Sequence, residues 1–118
     1  MDNIQNFEYK IINEIVAVIT LPQFIVSGEE AMSFTDLINS IIDKKPKAIV
    51  IDLINVELMN STGLGMLAGT HNNLSKINLP FYIVNFNEKI SKLFEMTHLS
   101  EVFKLDSSIE EIVSIYSK

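Results

Sequence analysis

The sequence predicts an α/β fold: a mixed β-sheet of about five strands, parallel at its centre, packed with about four α-helices. Three observations carry this. Short runs of β-branched and aromatic residues alternate with helical apolar stripes, in the order β-β-α-β-α-β-α-β-α. Two of the runs, Ala48-Ile49-Val50-Ile51-Asp52-Leu53 and Phe81-Tyr82-Ile83-Val84-Asn85-Phe86, are apolar almost throughout, as strands covered on both faces are. Strands separated by a helix come back parallel through a crossover. With 118 residues and 47% hydrophobic content, the chain is expected to fill one core as a single domain over 1–118.

Each element has its own signal. Phe7-Glu8-Tyr9-Lys10-Ile11 alternates apolar and polar, the mark of a strand with one wet face. Asn13-Glu14 suits a tight turn, since asparagine tolerates positive φ, and residues 15–21 then pair back as a hairpin. Pro22 cannot donate to a ladder and ends that strand. Ser27 with Glu30 has capping-box spacing ahead of a helix whose apolar stripe is Ala31, Phe34, Ile38, Ile41 and Ile42. After the strand at 48–53, a second helix runs from about Thr62 to Ile77, with Leu64, Leu67, Ala68, Leu74 and Ile77 inward. Asn87 and Glu88 open a third helix with Ile90, Leu93 and Phe94 facing the core. Val102-Phe103-Lys104-Leu105 reads as a short edge strand, and Ser107 or Ser108 caps a last helix with Ile109, Ile112, Val113 and Tyr116 on one stripe.

Composition narrows the function classes. A formal charge of −6 repels phosphate backbones and anionic membrane surfaces, so neither nucleic acid nor membrane is expected as a partner. There is no cysteine, which excludes a disulfide scaffold and a thiolate metal site. The polar start Met1-Asp2-Asn3-Ile4-Gln5 is unlike a secretory signal, and no run reaches the ~20 apolar residues that span a bilayer. A cytoplasmic protein that works by binding other proteins is the expectation, with no cofactor and no metal.

Functional interest centres on Leu58-Met59-Asn60-Ser61-Thr62-Gly63-Leu64-Gly65-Met66-Leu67, where a loop opens the second helix. One capping oxygen satisfies a helix start; two adjacent hydroxyls, an amide before them and two glycines after them are more than a cap requires. Ser61 can therefore be read as a plain N-cap or as a hydroxyl displayed for a partner to modify. Met59 and Met66 fit the edge of the core.

In this strand–turn–helix setting, Met59-Asn60-Ser61-Thr62-Gly63-Leu64-Gly65 resembles the STAS domain family, and within it the bacterial anti-sigma factor antagonists. The resemblance covers essentially the whole chain. It is strongest from Ala48 to Leu105, through Ile49-Val50-Ile51-Asp52-Leu53, the turn itself, and Leu93-Phe94-Glu95-Met96-Thr97-His98-Leu99. It implies a STAS-like fold and a protein that is not an enzyme. It also implies a phosphoacceptor at Ser61, with Asn60 at the family's usual aspartate position and Thr62 beside it. The implied partner is an anti-sigma factor that is also an ATP-binding serine kinase, with a separate serine phosphatase for reset. The partner surface would comprise Asn60, Ser61, Thr62, Gly63, Leu64 and Gly65, together with Phe24 of the Leu21-Pro22-Gln23-Phe24 segment, where the family commonly has Gly-Glu-Leu-Asp.

Two other readings compete. A STAS subunit that is never phosphorylated could dock within a transporter or signalling assembly. A small nucleotide-binding enzyme is suggested by Gly63-Leu64-Gly65-Met66-Leu67-Ala68-Gly69, although in a dinucleotide loop the glycines follow the strand at once and here about nine residues intervene. A hydrolase built on Ser61 would need a nearby base; His71 lies about 15 Å further along the same helix, at 1.5 Å per residue, and His98 reads as a helix-end residue. Asn60-Ser61-Thr62 also fits a glycosylation sequon, which a chain without a signal peptide does not present to that machinery.

Overall fold

The computed structural model describes residues 7–25 and 28–118. Strands β1 (Glu8–Ile12) and β2 (Val16–Thr20) form the expected antiparallel hairpin. Its turn is built on two left-handed residues, Asn13 at φ 54° and Glu14 at φ 63°, a pairing whose twist matches that of the flanking strands. Further along come β3 (Phe24–Ile25), α1 (Gly28–Ile42), β4 (Ala48–Asp52), β5 (Leu58–Met59), α2 (Ser61–Lys76), β6 (Phe81–Val84), α3 (Glu88–Met96), a 3₁₀ turn (Leu99–Glu101) and α4 (Ile109–Tyr116). The capping role read for Ser27 lies outside the described residues.

The main sheet has four strands in the order β1-β2-β4-β6, and β2, β4 and β6 run parallel. β3 and β5 make a separate two-stranded parallel ribbon, Phe24 opposite Leu58 and Ile25 opposite Met59. The expected edge strand at 102–105 is reduced to one parallel bridge between Tyr82 and Lys104. The 3₁₀ turn entered through left-handed His98 delivers the chain to β6 for one residue pair only.

Alternation along the strands splits the apolar side chains into two cores. Ala17, Ile19, Ile49, Ile51, Phe81 and Ile83 face one way, beneath Phe34, Ile38 and Ile41 of α1, Leu67 and Leu74 of α2, and Ile90 and Phe94 of α3. Val16, Val18, Ala48, Val50, Tyr82 and Val84 face the other way, under Ile112 of α4. β4 is buried at all five positions, as a strand covered on both faces should be.

The buried face of α2 sits about one residue round from the expected stripe. Gly63, Met66, Leu67, Thr70 and Leu74 are inside, while Ile77 is 52% exposed. Thr70 can face the core because its hydroxyl donates to Met66 O at 2.8 Å, within its own helix. Ile77 falls outside because the helix stops at Lys76 and Asn78 turns left-handed at φ 58°.

Candidate functional site

The carboxyl ends of β2, β4 and β6 lie side by side, so the segments leaving Thr20, Asp52 and Val84 converge on one pole. The middle segment leads through β5 to Ser61. Its course is fixed from both flanks. On one, Glu57 N donates to Gln23 O at 2.9 Å and Gln23 Nε2 donates to Glu57 Oε2 at 2.6 Å. On the other, Asp52 Oδ1 accepts from Ile54 N and from Asn85 Nδ2, both at 3.0 Å, and Asn87 Nδ2 donates to Val56 O at 3.2 Å.

The N-cap of α2 is Asn60, not Ser61. Asn60 is extended, and its Oδ1 accepts from Thr62 N at 3.0 Å and Gly63 N at 3.3 Å. Its own carbonyl takes the first helical bond, from Leu64 N at 3.0 Å. The amide at this position thus does the work that a single capping oxygen must do. Ser61 becomes the first helical residue: exposed, with its hydroxyl unbonded to any described residue. The plain capping reading of Ser61 is corrected by this geometry.

Around Ser61 the predicted residues divide. Thr62 is half-buried, Gly63 is buried and Leu64 packs at the rim of the larger core. Gly65 is exposed, and a methyl group placed on it would meet nothing within 4 Å, so the fold itself does not demand a glycine there. Phe24 is 43% exposed and stands opposite Leu58, 53% exposed, as a cross-strand apolar pair on the ribbon. Leu58 opens the stretch singled out from sequence but was not placed on the partner surface, and Asp52, Asn85 and Asn87 were not read as builders of the site. A two-residue strand has no period to read; the asparagines carry a signal only in the loop-favouring character of Asn85-Phe86-Asn87. Met59 and Met66 are buried at the core edge, as read.

Hydrolytic and nucleotide chemistry find little support in this arrangement. His71 packs its ring edge-on against Phe81 and Phe103, with centroids 6.0 and 5.9 Å away. His98 pairs with Glu101 at 3.4 Å on the surface. The glycine run lies inside α2, not at a strand-to-helix turn, and its first amide, Gly63 N, is already engaged by Asn60 Oδ1. The hollow beside the ribbon, about 420 Å³, is lined by Glu8, Thr20, Leu21, Pro22, Gln23, Asn55 and Glu57, a set with two carboxylates and no basic side chain. Among the described residues no group of His, Asp and Glu could hold a metal ion, and no helix is long and apolar enough to cross a membrane.

Comparison with known proteins agrees with this architecture. An anti-sigma-B factor antagonist from Staphylococcus aureus is 36% identical over 62 residues, which cover 52% of this chain and 57% of the relative; the chain thus matches little more than half the length of that protein. An anti-sigma factor antagonist from Mycobacterium paratuberculosis superimposes with a TM-score of 0.78 at 24% identity, over 96% of this chain and 94% of the other. The antagonist SpoIIAA in its unphosphorylated form gives a TM-score of 0.77 at 17% identity, over 96% and 98% of the two chains. These likenesses in structure show a shared fold. The STAS domain family model matches residues 6–112, and the chain belongs to the STAS domain family.

Proposed function

We propose that the protein is an anti-sigma factor antagonist that acts as one STAS unit over 1–118 in the cytoplasm, and that phosphorylation of Ser61 switches its partner. In the unmodified state it binds an anti-sigma factor, itself an ATP-binding serine kinase, and a sigma factor is freed. Phosphorylated on Ser61 it lets go, and a serine phosphatase restores it. The observation that carries this reading is an exposed serine at the head of a helix whose cap is supplied by the residue before it. The names of the relatives support the same class.

The physical consequence follows from the cap. A phosphoserine carries about −1.5 to −2 charges at pH 7. On Ser61 it would feel the positive end of α2, but Thr62 N and Gly63 N are already bonded to Asn60. The phosphate then stays in water, and the domain keeps its shape. The effect falls on the partner. A protein seated over Ser61, the Gly65 gap and the Phe24–Leu58 pair would have to strip water from a doubly charged group beside apolar surface, at a cost of several kcal/mol. About 1.4 kcal/mol is a tenfold change in affinity, so one phosphate suffices to release the complex.

The test uses the anti-sigma factor kinase of the same genome. With ATP present, mass spectrometry of the intact protein and its peptides should place one phosphate on Ser61. Ser61→Ala should bind the unmodified protein's partner normally and Ser61→Asp at least about tenfold more weakly. A protein left unmodified, or equal affinities for the two variants, overturns the reading.

A further inference from the structure

We propose that Asn87, on the β6–α3 connection, is a positioning residue for Ser61, acting through the loop that leads from β4 to the ribbon. The claim that Ser61 is a switch rests on the function proposed above; the mechanical link stands on geometry alone. Asn87 uses both ends of its amide. Its Oδ1 accepts from Ile90 N at 2.8 Å and caps α3, while its Nδ2 donates to Val56 O at 3.2 Å. Val56 is 2% exposed and lies five residues before Ser61. Between them run only Glu57, whose backbone is bonded to Gln23, the two residues of β5, and the cap Asn60.

A second tie runs parallel. Asn85, left-handed at φ 61°, donates from Nδ2 to Asp52 Oδ1, and the same oxygen takes Ile54 N as the loop departs. α3 itself packs against β5. The 53–57 segment is therefore tied to the β6–α3 connection through Asp52 just before it and through Val56, and to Gln23, next to β3, at its end. A segment of this length without regular structure would otherwise be free to shift, and the N-cap geometry at Asn60 would shift with it. An asparagine is needed at 87 because one side chain must accept for the helix and donate to the loop.

That double duty makes the two roles separable. Asn87→Asp keeps an oxygen for Ile90 N, and its charge suits a helix start, but it faces the Val56 carbonyl with an acceptor. Asn87→Ser keeps a neutral cap and is too short to reach Val56. In both variants, the amide exchange of Ile90 and Ser91 is expected to match the unsubstituted protein, and the melting temperature to fall by no more than the few degrees that one lost hydrogen bond costs. Amides of 54–58 should exchange at least about tenfold faster, and the amide resonances of Ser61, Thr62 and Gly63 should shift. With the anti-sigma factor kinase, kcat/KM for Ser61 should fall about tenfold or more, the expected consequence of a misplaced acceptor. If exchange over 54–58 and the Ser61–Gly63 resonances are unchanged in both variants, Asn87 is only a cap and the proposal is wrong. The exchange and resonance measurements need no kinase, so they decide the mechanical link even where Ser61 of the unsubstituted protein proves not to be phosphorylated.

Discussion

At the scale of single residues, the site turns on which of three consecutive cap-competent side chains, Asn60, Ser61 or Thr62, closes the helix. The side chain one position earlier than expected does so, and this frees the serine. Asn60→Ala removes an oxygen that serves two backbone donors, and should cost about 1 kcal/mol of stability in urea unfolding. Asn60→Asp keeps the acceptor and adds a charge that the helix N-terminus favours, so its stability should match the original or exceed it by a few tenths of a kcal/mol. A loss of similar size in both variants would show that the amide group, not the oxygen, matters. An aspartate at this position would thus offer α2 the same capping oxygen as the asparagine does.

At the scale of elements, α4 is the least independent part of the fold. Eight residues are too few to hold a helix in water, and Ile112 alone is fully buried. Its start is fixed by a capping box, in which Ser108 Oγ accepts from Glu111 N at 3.1 Å and Ser108 N donates to Glu111 Oε1 at 2.8 Å. Its end is fixed by Tyr116, whose hydroxyl lies 2.8 Å from that of Tyr82 on β6. Partial burial, the hydrogen bond to Tyr82 and repulsion from a charged Tyr82 together push the Tyr116 pKa from 10.0 up to about 12. The raised value belongs to the folded state, so this contribution to stability is complete below about pH 10 and is lost as pH climbs towards 12. Between those limits the melting temperature of Tyr116→Phe should fall less steeply than that of the parent protein; parallel curves would mean that the phenol pair does not hold α4. Most elements of this size were legible in the sequence, because their apolar spacing and turn residues agree: the stripe Phe34, Ile38 and Ile41, the Asn13-Glu14 turn, the Ser108 cap. The ribbon was not, because Phe24–Ile25 and Leu58–Met59 are too short to carry a period and exist only by pairing with each other. For the opposite reason, 102–105 has the composition of a strand, yet the sheet edge takes only Lys104 beside Tyr82.

At the scale of the whole molecule, stability and display are assigned to different places. The parallel strands β2, β4 and β6 are buried between two cores, whereas Ser61 stands at the rim where their carboxyl ends give way to loops. Charge added at the rim should therefore leave the centre unmoved. In Ser61→Asp a carboxylate takes the first position of α2, in water and near the positive end of the helix, where anions gain about 0.3–1 kcal/mol. Its unfolding free energy should equal that of the parent or exceed it by up to ~1 kcal/mol, which is small against the ~5–15 kcal/mol of a typical domain. Amide exchange of Ala17–Ile19, Ile49–Ile51 and Tyr82–Ile83 should stay at the global rate, since those amides open only when the sheet does. The strand–turn–helix setting of Asn60–Gly65 was legible because the turn is contiguous in sequence. The support of the loop that leads to it was not, because Asn85 and Asn87 reach Asp52 and Val56 only after the strands have been laid side by side. A fall of 2 kcal/mol or more in Ser61→Asp would mean that the position is coupled to the core, because exposed substitutions away from packed or hydrogen-bonded groups stay within about 0.5 kcal/mol. A switch placed there would then act by unfolding the protein, and not by changing its company.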